Sequence, residues 1–263
     1  MADLRIFSYL PNPRIWKATI TARLNGVTLD IRGAAPKELS DWLWDFDARP
    51  LSDVDRATSA YQRMPARGFG TPLYKTDEFL SLNPFGTVPC AFSGDGKVGI
   101  YESNSIMRAV ARLGGAEPAL YGRTPYESAR IDSFLDASLV FARDSQIYLL
   151  ASGSPDGITA DIHARAADAF AVYMRGAEQS LAAGQGFIDG SGGLTLADIC
   201  FVAEITLFAR ERKLGERVRE LGLVPIDWSA YPAAVAHFEA LAKHPAAAPD
   251  VGPYLESIKW GSY

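Results

Sequence analysis

Asn83-Pro84-Phe85-Gly86-Thr87-Val88-Pro89, followed by Tyr101-Glu102-Ser103-Asn104-Ser105-Ile106, is the stretch on which the fold turns. Pro84 and Gly86 punctuate a turn that runs into a Val-Pro step, a short strand, a second turn and another strand. Val88 precedes a proline and is therefore pushed toward extended geometry. An X-Pro bond is also where a cis peptide is most readily accommodated. A cis proline at a strand start leaves the preceding backbone N–H and C=O outside the ladder, available to an extended ligand. Ser103 can cap the helix that follows, so its hydroxyl and the first free backbone N–H groups favour a carboxylate. Glu102 beside it offers the opposite charge for an ammonium. A pocket with these three properties suits a short peptide with a free amino-acid end.

The bulk numbers bound the rest. A chain of 263 residues is long for one domain and comfortable for two. Its 48% hydrophobic and 22% charged residues are ordinary for a soluble globular protein. A net charge of −5 argues against a nucleic-acid surface. No apolar run is long enough to span a bilayer, and Met1-Ala2-Asp3-Leu4-Arg5 does not open a secretory signal. Cys90 and Cys200 sit in apolar surroundings and read as buried, reduced thiols of a cytoplasmic protein.

Leu4 to Tyr9 alternates as a first strand, broken by Leu10-Pro11-Asn12-Pro13. Pro13 suits a first helical turn with Asn12 as its cap, and Asn25-Gly26 ends that helix. Val27 to Ile31 reads as a second strand, so the opening is a βαβ unit with parallel pairing. From about 33 to 76 the chain is irregular, with Trp42, Leu43, Trp44 and Phe46 clustered and Arg67-Gly68-Phe69-Gly70 punctuating it. Such a long excursion reads as an insertion covering a site or a partner surface. Asp77 to Leu82 makes one helical turn, Val88 to Phe92 and Val98 to Tyr101 form a hairpin around Ser93-Gly94-Asp95-Gly96, and Ser103 to Leu113 is a helix closed by Gly114-Gly115. This order, βαβ, insertion, ββα, gives a four-stranded mixed sheet with helices on both faces.

After a linker over 117–124 the pattern is wholly helical. Long helices run from Tyr126 to Leu150 and from Ile158 to Ala182. Leu194-Thr195-Leu196-Ala197-Asp198-Ile199 reads as a capped helix start, with Thr195 as cap and Asp198 reaching back to it, a folding device. The helix it begins is apolar nearly all round and belongs in the middle of a bundle. Weaker helices occupy Gly215 to Leu221 and Tyr231 to Ala242, and Pro245 opens an irregular tail to Tyr263. His163, His237 and His244 have no metal-ligand spacing, and no metal is expected.

Taken in this order and at this spacing, the motifs resemble the glutathione transferase superfamily over nearly the whole chain. Asn83-Pro84-x-Gly86-x-Val88-Pro89 and Glu102-Ser103 match its glutathione-binding pattern, and Thr195-Leu-Ala-Asp198 its helical-domain cap. Tyr9 through Ala18, Glu102 to Ile106 and Thr195 to Ile199 look like the transferase-like domain of translation elongation factor 1 gamma. Pro13-Arg14-Ile15-Trp16-Lys17 also looks like a segment of fungal and bacterial transferases that bind or cleave lignin-derived aromatics, including bacterial β-etherases. The insertion is not part of the usual pattern.

The resemblance implies a thioredoxin-like glutathione-binding domain over 1–116, with the insertion at about 33–76, and an all-helical domain over 124–263. It implies glutathione as co-substrate, activated as a thiolate by a donor just after the first strand. The candidates are Ser8, Tyr9, Asn12 and Arg14, with Ser8 and Asn12 preferred and Arg14 able to act by charge. Core packing is the competing reading for Tyr9, and helix capping for Asn12. No cysteine stands there, which disfavours disulfide-exchange chemistry. Val88 would pair with the cysteinyl unit, with Pro89 cis, and Glu102 and Ser103 would hold the γ-glutamyl end. Lys75 or Lys97 could meet the glycine carboxylate, although a solvated surface lysine is the expectation for both. An apolar, aromatic second substrate should lie between the domains against Phe141, Arg143, Tyr148 and the tail aromatics Trp260 and Tyr263, with core packing the better reading for Phe141. The implied function is thiolate attack on an aromatic electrophile, β-aryl ether cleavage being the specific version. Two alternatives stand beside it: a non-catalytic scaffold like the elongation factor domain, and a partner-dependent subunit whose aromatic insertion is buried in a heterodimer. A homo- or heterodimer is expected, with no nucleic-acid or membrane partner.

Overall fold

A computed structural model describes residues 2–65, 71–115, 117–154, 157–184 and 186–261. Arg67-Gly68-Phe69-Gly70 and Tyr263, singled out above, lie outside the described residues. The chain divides into two compact units, 1–115 and 116–263.

In the first unit, β1 (Leu4–Tyr9) leads into α1 (Pro13–Asn25). Asn12 caps that helix by accepting the Arg14 N–H at 3.0 Å, and Gly26 closes it at φ 74°. β2 (Leu29–Ala34) runs parallel to β1, from Leu4 opposite Leu29 to Tyr9 opposite Ala34. It starts two residues later than the sequence suggests, because the Val27 N–H still bonds the helix at Ala22 O. It also continues through Gly33, where a Cβ would lie 1.7 Å from Ser8 O, so only glycine fits.

The insertion is not irregular. It forms a second four-stranded sheet in the order β4-β3-β6-β5, from β3 (Trp42–Trp44), β4 (Arg49–Pro50), β5 (Gln62–Arg63) and β6 (Leu73–Lys75). Within it lies the short α2 (Asp53–Ala57), capped reciprocally by Ser52 and Asp55. Its aromatic residues are core: Trp44 is buried and donates its indole N–H to Leu39 O, while Trp42 and Phe46 pack on the same cluster. These side chains stabilise their own unit, so the expectation that they cover a partner is not needed to explain them.

α3 (Asp77–Leu82), β7 (Cys90–Ser93), β8 (Gly99–Tyr101) and α4 (Ser103–Leu113) complete the unit. The main sheet has the order β2-β1-β7-β8, with β1 and β2 parallel and the other pairs antiparallel. One face carries Phe7, Cys90 and Phe92 against Phe79 of α3 and Trp44 and Leu73 of the second sheet. A sheet and one short helix thus cover the face where helices alone were expected. α1 and α4 pack on each other, and α4 lies against β7 and β8.

The second unit contains α5 (Pro125–Ala151), α6 (Ala160–Ala183), α7 (Leu196–Phe208), α8 (Gly215–Glu220), α9 (Pro232–Ala242) and α10 (Ala248–Ser257). α7 is buried on all sides except at Leu207 and packs on α5, α9 and α10. Asp198 reaches back to the Thr195 N–H at 3.0 Å, the cap expected from sequence. α10 corrects the irregular tail: Pro249 falls in its first turn, where the missing N–H costs no bond, and Val251 anchors it in the core. Trp260 stacks edge-on against Trp228 and Phe238 and bonds Glu239, a packing role rather than a pocket wall.

Candidate functional site

Sheet register brings the three motif segments together. Phe7 lies opposite Cys90, and Cys90 opposite Tyr101. The end of β1, the entry to β7 and the exit of β8 therefore share one end of the sheet. Tyr9 to Arg14, Val88-Pro89 and Glu102-Ser103 emerge there side by side.

The loop before β7 is held from beneath. Buried Asn83 donates its side-chain amide to Thr87 O at 2.8 Å and accepts the Gly86 N–H on its backbone carbonyl. Lys75 of β6 donates to Gly86 O at 2.6 Å, with its ammonium 4.4 Å from the centre of the Trp44 ring. Lys75 is thus a buried clamp rather than a solvated lysine, and burial lowers its pKa. Lys97 is the exposed lysine expected, beside Asp95. The Val88–Pro89 bond is cis, and Val88 stands just outside the ladder, half-buried against the core. Cys90, one residue on, is enclosed, and burial pushes its thiol up to about 12, opposed by Asn83 and Lys75.

Glu102 is exposed and holds φ 68°, ψ 124°, a backbone conformation that costs a non-glycine residue energy and concentrates at functional sites. Glu102, not Ser103, takes the cap position of α4, and Ser103 is its first helical residue. Beneath them Lys17 of α1 is wholly buried, donating to Ser103 Oγ at 3.3 Å and to Asn104 Oδ1 at 2.8 Å.

The four thiolate-donor candidates separate by exposure. Ser8 and Asn12 are both 0% exposed, and the Asn12 amide donates to Ser8 Oγ at 3.0 Å. Tyr9 and Arg14 are half-exposed, Tyr9 packing against the core cluster.

In the second unit, Phe141 and Arg143 border a cavity of about 430 Å³, with Phe134, Val140, Val172 and Tyr173 among its other walls. Phe141 is its floor, stacked on Tyr173 at 4.9 Å. Tyr148 is not a wall. It is enclosed beside His163 and Phe208, its hydroxyl has no partner, and burial raises its pKa. The histidines are structural: His163 bonds Val224 O, His237 bonds Asp198, and His244 accepts the Ala246 N–H. Among the described residues no group of three or more His, Cys, Asp or Glu could hold a metal, and no helix is long and apolar enough to cross a membrane.

Sequence reasoning missed roles for Lys17, the clamp of Lys75 and the His237–Asp198 pair. For Lys17 a signal existed: a lysine between Trp16 and Ala18 on an otherwise small and apolar helix.

No family model matches the chain. A glutathione S-transferase-like protein of Aspergillus aculeatus is 29% identical over 199 residues, 74% of this chain and 77% of that protein. Elongation factor 1-gamma 1 of Oryza sativa subsp. japonica is 44% identical over 64 residues, 24% of this chain and only 15% of that protein's length. The glutathione transferase URE2P6 of Phanerochaete chrysosporium, solved with oxidised glutathione, superposes with a TM-score of 0.66 at 14% identity, covering 97% of each chain. The fold is that of a glutathione transferase, a thioredoxin-like unit followed by a helical one. The sequence is similar to the same superfamily, including its elongation factor 1 gamma branch.

Proposed function

We propose that the protein is a glutathione transferase that binds glutathione at the end of the main sheet and directs its thiolate at an apolar, aromatic electrophile. The observation that carries this reading is the register by which Cys90 pairs with both Phe7 and Tyr101, gathering three otherwise separate segments. Val88 offers its backbone to the cysteinyl unit, Glu102 its carboxylate to the γ-glutamyl ammonium, and Ser103 with the α4 N-terminus its donors to the carboxylate. A thiol of pKa ~8.5 is only a few per cent ionised at neutral pH, so stabilising the thiolate is the protein's task. Arg14, half-exposed at the N-terminus of α1, is suited to this by its charge and by the helix dipole, with Tyr9 second. Ser8 and Asn12, buried against each other, shape the loop from below.

For the second substrate, Phe141 and Arg143 are the proposed walls. An aryl β-ether fits the chemistry: the thiolate forms a C–S bond at the β-carbon while the C–O bond breaks and aryloxide leaves with the electron pair. Assembly as a dimer and a cytoplasmic location complete the reading.

Isothermal titration with glutathione tests it, comparing the wild type with Glu102→Ala and Ser103→Ala. The variants should lose binding, and a wild type that does not bind refutes the proposal. The burial of Ser8 and Asn12 favours one second reading, a binding module without turnover. Glutathione binding with no conjugation of any model electrophile would select it.

A further inference from the structure

Lys17 presents a buried ammonium beneath the first turn of α4, from a different helix. A side chain of the same length without charge would fill this space at less desolvation cost. What the ammonium adds is direction. It can only donate, so Ser103 Oγ accepts from it, and the hydroxyl hydrogen must point elsewhere. Ser103 is the first residue of α4, so a donor turned away from Lys17 lies at the start of the helix. Asn104, bonded to the same ammonium at 2.8 Å, fixes its position.

We infer that Lys17 is a positioning residue for carboxylate recognition: it turns the Ser103 hydroxyl outward as a donor and sets its ammonium behind the N–H groups of the α4 first turn. The inference rests on the glutathione reading above and specifies which end of the peptide Lys17 serves, the γ-glutamyl α-carboxylate. Charge and helix dipole act there in the same direction, and both are stronger where water is excluded.

The test compares two peptides by titration calorimetry: glutathione, and γ-aminobutyryl-cysteinyl-glycine, which lacks only that carboxylate. The wild type should prefer glutathione by about tenfold or more, the scale of a charge-assisted hydrogen bond. Lys17→Met should reduce the preference to about twofold while its affinity for the truncated peptide stays near the wild-type value. Lys17→Gln keeps a donor and removes the charge, and should fall between the two. It also provides the measurement if the methionine variant does not fold. Equal weakening of both peptides would mean that Lys17 is merely structural, and an undiminished preference in the variants would overturn the inference. If the wild type binds both peptides equally, the carboxylate is not held at Ser103 and the inference fails alone. If it binds neither, the glutathione reading fails first.

Discussion

The Lys75 ammonium donates to the Gly86 carbonyl at 2.6 Å, tying the second sheet to the loop that carries Val88. The insertion is thereby part of the scaffold of the site, because a buried carbonyl in that turn depends on it. Lys75→Met keeps the stem over Trp44 and removes the donor. An unsatisfied buried carbonyl costs ~1–3 kcal/mol, so the thermal midpoint should fall by roughly 3–10 °C. Scanning calorimetry decides the matter, and an unchanged midpoint would show that solvent replaces the ammonium.

Glu102 at φ 68° sets stability against binding. Glycine tolerates that conformation, so Glu102→Gly should stabilise the first unit by about 1 kcal/mol. It should also abolish glutathione binding, because the carboxylate is gone. Denaturant unfolding and calorimetric titration on the same variant would show both effects. A variant that is less stable than wild type would contradict the strain argument.

Asp198 accepts from the Ile188 and Thr195 N–H groups, from Thr195 Oγ1 and from His237 Nε2, and is completely buried. Asp198→Ala leaves several donors unsatisfied at once and should cost more than about 3 kcal/mol. Urea unfolding of the variant should show the loss as a lower midpoint, together with weaker protection of the loop at Ile188 in hydrogen exchange.

Glu211 is buried, and burial raises its carboxyl to about 7 even though the Trp228 indole N–H and Arg212 oppose the shift. Between the ordinary value of 4.5 and about 7 the folded state holds more protons than the unfolded chain. Stability should therefore fall as pH rises through that interval, by on the order of 3 kcal/mol, and level off above it. Glu211→Gln keeps an acceptor for Trp228 and cannot ionise, so its stability should be flatter over the same range and exceed wild type at pH 8. Thermal melts from pH 4.5 to 8 test this, and parallel curves for the two proteins would exclude the carboxyl as the cause.

Features written in local chemistry were legible in the sequence. Asn12-Pro13 announced the start of α1, Thr195-x-x-Asp198 the start of α7, and the parallel β1–β2 pair and the antiparallel β7–β8 pair followed from a βαβ opening and a hairpin. The second sheet was hidden because its strands are two or three residues long, too short for alternation to register. α10 was hidden by Pro249, Gly252 and Pro253 within one short helix, a composition that argues for a loop until packing overrides it. Within the site, residue types and spacing singled out Val88, Glu102 and Ser103 as candidates. They could not reveal that Ser8 and Asn12 would bond each other below the surface, because burial is a property of the folded chain.

The parallel pairing of Trp44 with Lys75 closes the excursion between them at its base, and the Thr76 N–H bonds Trp44 O just beyond it. The chain thus returns to a fixed point whatever lies in between. Since closure entropy grows only slowly with loop length, the exposed pair Ser59-Ala60 is a natural place to lengthen or graft sequence. Such variants would diversify this protein while the end of the main sheet stays as it is.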